Sequence, residues 1–316
     1  MAGSIDQLLD RAADLLDADR KIAICLLVQA QGSTPTPAGT LMLVDDTSAT
    51  FGTIGGGCVE AELRRRVLPM VTSGQTGLLH FDLDHDYGWD DGMICGGSID
   101  VAVVLPADGR QLRDVADAYR RREPTDLSVI VDPGDRGERQ RYVLTLLPRP
   151  HLLIAGAGHI GQALCRLALE LDFDVTTFDD RADMLDRFIP DPARRVAGPI
   201  HETMLRASID RETYIVIVTR GHRHDEQVLK AVAEQPARYI GMIGSRRKVK
   251  VVFDGLRAAG IPEEALRRIR APVGLDLGSV TVSEIALSIA AQLVEVRRDG
   301  YHSPVRGPLS LGAVSR

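Results

Sequence analysis

The run HLLIAGAGHIGQALCRLALELDFDVTTFDD, residues 151–180, constrains the fold more than any other stretch of the chain. An apolar strand at 152–155 leads into Gly156-Ala157-Gly158-His159-Ile160-Gly161, a G-x-G-x-x-G turn. Ile160, Leu164, Leu167 and Leu171 then recur at helical spacing, and a second strand at 173–178 ends at Asp179 and Asp180. This is the order of a nucleotide-binding βαβ unit. Gly156 permits the tight turn, Gly158 lets backbone approach a phosphate, and Gly161 lets helix and strand pack closely. The helix then directs free N–H groups and its positive dipole end at an anion. That dipole contributes only about 0.3–1 kcal/mol at an exposed site, so tight binding needs further donors. An acid at Asp179 or Asp180 suits a ribose diol and disfavours a 2′-phosphate. The alternative is a Rossmann scaffold kept for shape, its groove reused for another phosphorylated ligand or left empty.

The rest of the chain divides around Pro148-Arg149-Pro150, a stiff linker. Downstream, strands at 195–197, 213–218 and 238–243 alternate with helices at 226–234, 247–259 and 283–298. Upstream, helices at 4–18, from residue 60 onward and at 111–122 mix with strands at 22–28, 40–44, 76–83, 98–105, 127–132 and 141–147. The expected fold class is α/β: an N-terminal α+β domain over 1–148 and a C-terminal Rossmann-like parallel-sheet domain over 149–299. The Gly-, Pro- and Ser-rich tail, 300–316, reads as loose.

At 316 residues the length suits two domains. A net charge of −6 and 4% aromatic content argue against general nucleic-acid binding. No apolar run reaches the roughly 18–20 residues that span a bilayer, and the opening segment is an amphipathic helix without a basic leader. Cys25, Cys58, Cys95 and Cys165 lie far apart with no C-x-x-C, which fits reduced thiols in a cytoplasm.

Three further stretches carry candidate chemistry. Gly55, Gly56 and Gly57 precede Cys58 and a helix; three glycines weaken regular structure by roughly 1 kcal/mol each. Such backbone at a helix start is either an anion cradle or a tight packing corner. Cys95 adjoins Gly96 and Gly97, so two thiols sit in glycine-rich loops, at a spacing that matches no zinc pattern. In the second half, His222 and His224 follow a central strand and could serve as acid–base or orienting groups, cap the next helix, or pair with Asp225. Ser245 reads as an N-cap, and Arg246, Arg247 and Lys248 behind it are unfavourable at a helix N-terminus unless an anion is bound.

Taken together, GSTPTPAGT (32–40), GTIGGGCVEAEL (52–63), MICGGSIDV (93–101), IAGAGHIG (154–161), TRGHRHD (219–225), YIGMIGSRRK (239–248), GLDLG (274–278) and SEIALSI (283–289) resemble the XdhC/CoxI family of accessory proteins for molybdenum hydroxylases. The resemblance implies a protein that binds molybdenum cofactor as cargo and supports its sulfuration with a cysteine desulfurase. It further implies delivery to a xanthine-dehydrogenase-like apoenzyme, without turnover, as a homodimer. Cys58 and Cys95 match family cysteines, with Cys95 expected nearest the metal. One departure is Val282-Ser283, where a proline is expected before Glu284. The competing readings are an NAD(P)-dependent oxidoreductase, using Gly156 to Asp180 and a histidine from 222–224, and a bare interaction scaffold.

Overall fold

Residues 22–28 are apolar without alternation, which requires a strand covered on both faces. The computed structural model describes residues 4–83, 96–132, 138–299 and 303–310. In it, strand β1 (Ile22–Gln31) is the middle strand of a five-stranded antiparallel sheet. Strands β2 (Leu41–Asp45) and β3 (Thr50–Gly52) lie on one side, β5 (Ser98–Val104) and then β4 (Gly77–Asp82) on the other. Ile22, Ile24 and Leu26 point into one core, shared with helices α1 (Ile5–Asp17) and α3 (Arg110–Arg120) and strands β6 (Thr125–Val131) and β7 (Gln140–Leu146). Ala23, Cys25 and Leu27 point into a second core, closed by Val59, Leu63, Val67 and Val71 of helix α2 (Gly57–Ser73). Period-two alternation thus serves two cores at once. Helix α1 buries Leu8, Leu9, Ala12, Ala13 and Leu15, and the Ser4 N–H donates to Gln7 Oε1 at 3.0 Å to fix its start.

The tail is not loose throughout. Strand β14 (Val305–Ser310) pairs antiparallel with β7, opposite β6, and completes a three-stranded sheet. Gly307 and Pro308 suggested a loop because proline lacks an N–H for the ladder. The register slips between Arg306 and Leu309, which takes that pair out of the hydrogen-bonding scheme. Arg306 Nη2 also donates to Asp126 Oδ2 at 2.7 Å. The chain accordingly divides into two compact units. One runs to Pro148 and includes this C-terminal strand; the other begins at Arg149.

The second unit holds six parallel strands: β8 (His151–Ala155), β9 (Asp174–Asp179), β10 (Arg194–Ala197), β11 (Thr213–Ile217), β12 (Tyr239–Met242) and β13 (Ile269–Arg270). Their spatial order is β10-β9-β8-β11-β12-β13. Counted within the unit this is 3-2-1-4-5-6, the doubly wound Rossmann order, with its switch point between β8 and β11. Helices α4 (His159–Glu170) and α10 (Val282–Arg298) pack on one face, and α7 (His222–Val232) and α8 (Arg246–Ala258) on the other. Among the described residues no helix is long and apolar enough to cross a membrane.

Two boundaries differ from expectation. Helix α7 begins at His222 rather than 226, so both histidines lie in its first turn, not in a loop. At α10 the place of the missing proline, Val282-Ser283, falls in the first helical turn. Thr281 Oγ1 instead accepts from the Glu284 N–H at 3.3 Å, while Glu284 Oε2 accepts from the Thr281 N–H at 2.8 Å. This capping box replaces the preset φ that proline would supply.

Candidate functional site

The crevice at the switch point is a cavity of about 190 Å³. Its floor is the turn after β8, where the three glycines differ in why they are glycine. Gly156 has φ +116°, and a Cβ there would lie 2.7 Å from the Val218 carbonyl oxygen. A Cβ on Gly161 would lie 2.0 Å from the Gly156 oxygen. Both are demanded by the chain's own packing. Gly158 has an ordinary extended backbone and faces open space where its Cβ would be. Its bare Cα leaves the head of α4 free for something outside the chain to approach.

Asp179, expected to read a ribose, is fully engaged. It is 2% exposed. Its Oδ2 accepts from the Ala157 N–H at 2.7 Å and Arg181 Nη2 at 3.0 Å. Its Oδ1 accepts from the Arg181 N–H at 3.0 Å and Arg181 Nε at 2.8 Å. Burial pushes this carboxyl up, but the Arg181 fork and the two backbone N–H groups outweigh it and hold the pKa at about 2. Asp179 therefore ties the glycine turn to the end of β9 instead of presenting a free carboxylate. Asp180 beside it pairs with Arg220 Nη2 at 2.6 Å. Arg181 and Arg220 line the crevice and were not singled out from the sequence; an arginine two residues after the strand-end acid was the available signal.

Of the residues picked out by sequence, Gly156, Gly158, His159, Asp179, Asp180 and His224 line this cavity. Gly161 lies behind it as a packing contact. His222, Ser245, Arg246 and Arg247 do not line it. Ser245 caps α8 as expected, accepting from the Lys248 N–H at 3.3 Å. Lys248 is not available to a ligand: its Nζ lies 2.5 Å from Oδ2 of the fully buried Asp225, whose Oδ1 accepts from Thr219 Oγ1 at 2.6 Å. Arg246 and Arg247 are exposed, with no ion pair to any described residue.

In the first unit, a Cβ on Gly55 would strike Pro35 at 2.5 Å, while Gly56 and Gly57 face open space. The expected anion cradle is partly filled from within. Glu60 Oε1 accepts from the Gly56 N–H at 3.3 Å and the Ile54 N–H at 3.4 Å, as well as from Thr53 Oγ1. A carboxylate four residues into α2 takes the place a phosphate would use. Cys58 is exposed at the head of α2, whereas Cys25 and Cys165 are buried. Burial pushes the Cys25 thiol up to about 12 and raises Cys165 as well. Cys95 lies outside the described residues. Among the described residues, no cluster of three His, Cys, Asp or Glu side chains could hold a metal ion.

Two family profiles match the chain, one described as the XdhC Rossmann domain over residues 152–293 and one as the XdhC and CoxI family over residues 15–82. The chain belongs to the XdhC/CoxI family. The uncharacterized protein YqeB of Escherichia coli (strain K12) is 26% identical over 91% of this chain, which spans 46% of that protein's length. The molybdenum cofactor insertion chaperone PaoD of Escherichia coli (strain K12) is 26% identical over 90% of this chain and 86% of its own. A crystal structure described as a xanthine dehydrogenase from Bacillus halodurans superposes with a TM-score of 0.78, at 21% identity, over 95% of this chain and 98% of that one. That likeness confirms the family fold.

Proposed function

We propose that this protein binds molybdenum cofactor as cargo, supports its sulfuration with a cysteine desulfurase, and delivers it to a molybdenum hydroxylase apoenzyme such as a xanthine dehydrogenase. In this reading it acts as a cytoplasmic homodimer and not as an enzyme. The observation that carries the reading is Cys58, an exposed thiol on bare glycine backbone at a helix head, in a chain 26% identical to a protein named a molybdenum cofactor insertion chaperone. A thiolate suits a soft metal–sulfur centre. Arg246 and Arg247 at the head of α8, without an ion pair among the described residues, suit the terminal phosphate of a pterin. Cys95 remains the second thiol of this proposal and the one assigned nearest the metal.

The test is the material that copurifies from a molybdate-replete host. Pterin fluorescence after oxidative release is expected from the wild-type protein. It is expected to fall in Cys58→Ala and Cys95→Ala, and in the Arg246→Gln/Arg247→Gln variant. Normal loading and delivery by all of these would remove the assignment. A second reading, an NAD(P)-dependent oxidoreductase, draws on the 3-2-1-4-5-6 strand order. The engagement of Asp179 by Arg181 weighs against reading of a ribose diol there. Saturable NAD(P)H binding with hydride transfer would favour this reading over the chaperone.

A further inference from the structure

The crevice of the second unit carries an ion pair that Rossmann packing does not require. Asp180 follows β9 and Arg220 follows β11, and these strands flank β8 on opposite sides. Their 2.6 Å contact therefore runs across the crevice that Gly156, Gly158 and His159 line from β8. Both partners are solvent-accessible, at 53% for Arg220 and 36% for Asp180, and pairs of this kind hold weakly.

Several donors on the crevice wall are already engaged within the chain. The Ala157 N–H is committed to Asp179, as are Nε and Nη2 of Arg181. Beside the His159 and His224 side chains and Nη1 of Arg181, which also line the crevice, stand the head of α4, whose first N–H groups have no intrahelical acceptor, and Arg220, held by one contact to a replaceable acid. A guanidinium offers two parallel N–H groups to a phosphate, more than Asp180 takes from it here. About 190 Å³ falls below the roughly 300–1,000 Å³ of small-molecule sites, and Asp180 and Arg220 both line this space.

We infer that Arg220 is the anion-binding side chain of this crevice and Asp180 its built-in competitor, so that a diphosphate ester docks on the head of α4 by displacing Asp180 from Arg220. The exchange is a property of the crevice. It holds whichever cargo the chain carries and leaves the pterin-release assay untouched.

Titration calorimetry on the full-length protein with inorganic pyrophosphate, and with ADP as a second probe, tests the exchange. Arg220→Gln is expected to weaken pyrophosphate binding roughly tenfold, the loss of about one charge-assisted contact. Arg220→Lys, which keeps the charge and loses the fork, is expected to fall between. Asp180→Asn is expected to tighten binding several-fold, because the competitor is gone. Asp180→Asn/Arg220→Gln is expected to bind as weakly as Arg220→Gln. Asp180→Asn binding no tighter than wild type, Arg220→Gln binding unchanged, or no binding of either probe at millimolar concentration would each overturn the inference. Because the pair is exposed, all variants should keep the wild-type melting temperature, which serves as the folding control.

Discussion

Replacing Asp179 by asparagine isolates what this carboxylate contributes to the second unit. The substitution keeps the size and removes the charge. It also turns an NH2 group towards the four N–H donors that now converge on the carboxylate from Ala157 and Arg181. Breaking one side of a buried pair costs roughly 3–5 kcal/mol. Arg181 keeps 34% of its side chain exposed, so the lower end, about 3 kcal/mol, applies. Ionisation supplies an independent figure. A folded pKa of about 2 against an ordinary aspartate corresponds to roughly 2–3 kcal/mol. The folded value lies below the unfolded one. The stabilisation is therefore complete above about pH 4 and lost as pH falls towards 2. For a unit of this size about 3 kcal/mol lowers the melting temperature by roughly 6–12 °C at neutral pH. The assay is thermal unfolding by circular dichroism for wild type and Asp179→Asn, with denaturant midpoints at pH 7, 5 and 3. The gap between the two proteins should be constant from pH 7 to 5 and narrower at pH 3. A difference of less than about 2 °C at pH 7, or a gap that fails to narrow, would refute the argument that this carboxylate fastens the glycine turn.

Three other expectations follow from the same geometry. Gly161→Ala should destabilise the protein by at least about 1–3 kcal/mol, since its Cβ would overlap the Gly156 oxygen, while Gly158→Ala should leave the melting temperature near wild type and weaken pyrophosphate binding. Lys248→Met should cost roughly 3–5 kcal/mol by stranding the buried Asp225, and adding Asp225→Asn should recover part of that loss in denaturant unfolding. Under native conditions iodoacetamide with peptide mapping should label Cys58 but spare Cys25 and Cys165 until the chain unfolds.

Much of this organisation can be read from local pattern. The run at 151–180 specifies strand, turn and helix through glycine sterics and apolar spacing, both of which act within a few residues. The break at Pro148-Arg149-Pro150, the cap at Ser245 and the apolar run at 22–28 are equally local. Sequence alone thus determines a Rossmann half, a mixed α+β half, and two glycine-flanked cysteines at 58 and 95. It does not determine which polar group meets which. The Asp179 carboxylate is committed to Arg181 and Ala157, Glu60 turns back onto its own glycine loop, and Lys248 reaches a buried Asp225 on a different helix. Each pairing depends on where the ends of separate elements arrive, and on burial that raises the cost of any polar group left alone. The C-terminal strand is the same case. Its Gly-Pro step argues against a strand locally, and only the open edge of β7 supplies the partner that makes it one.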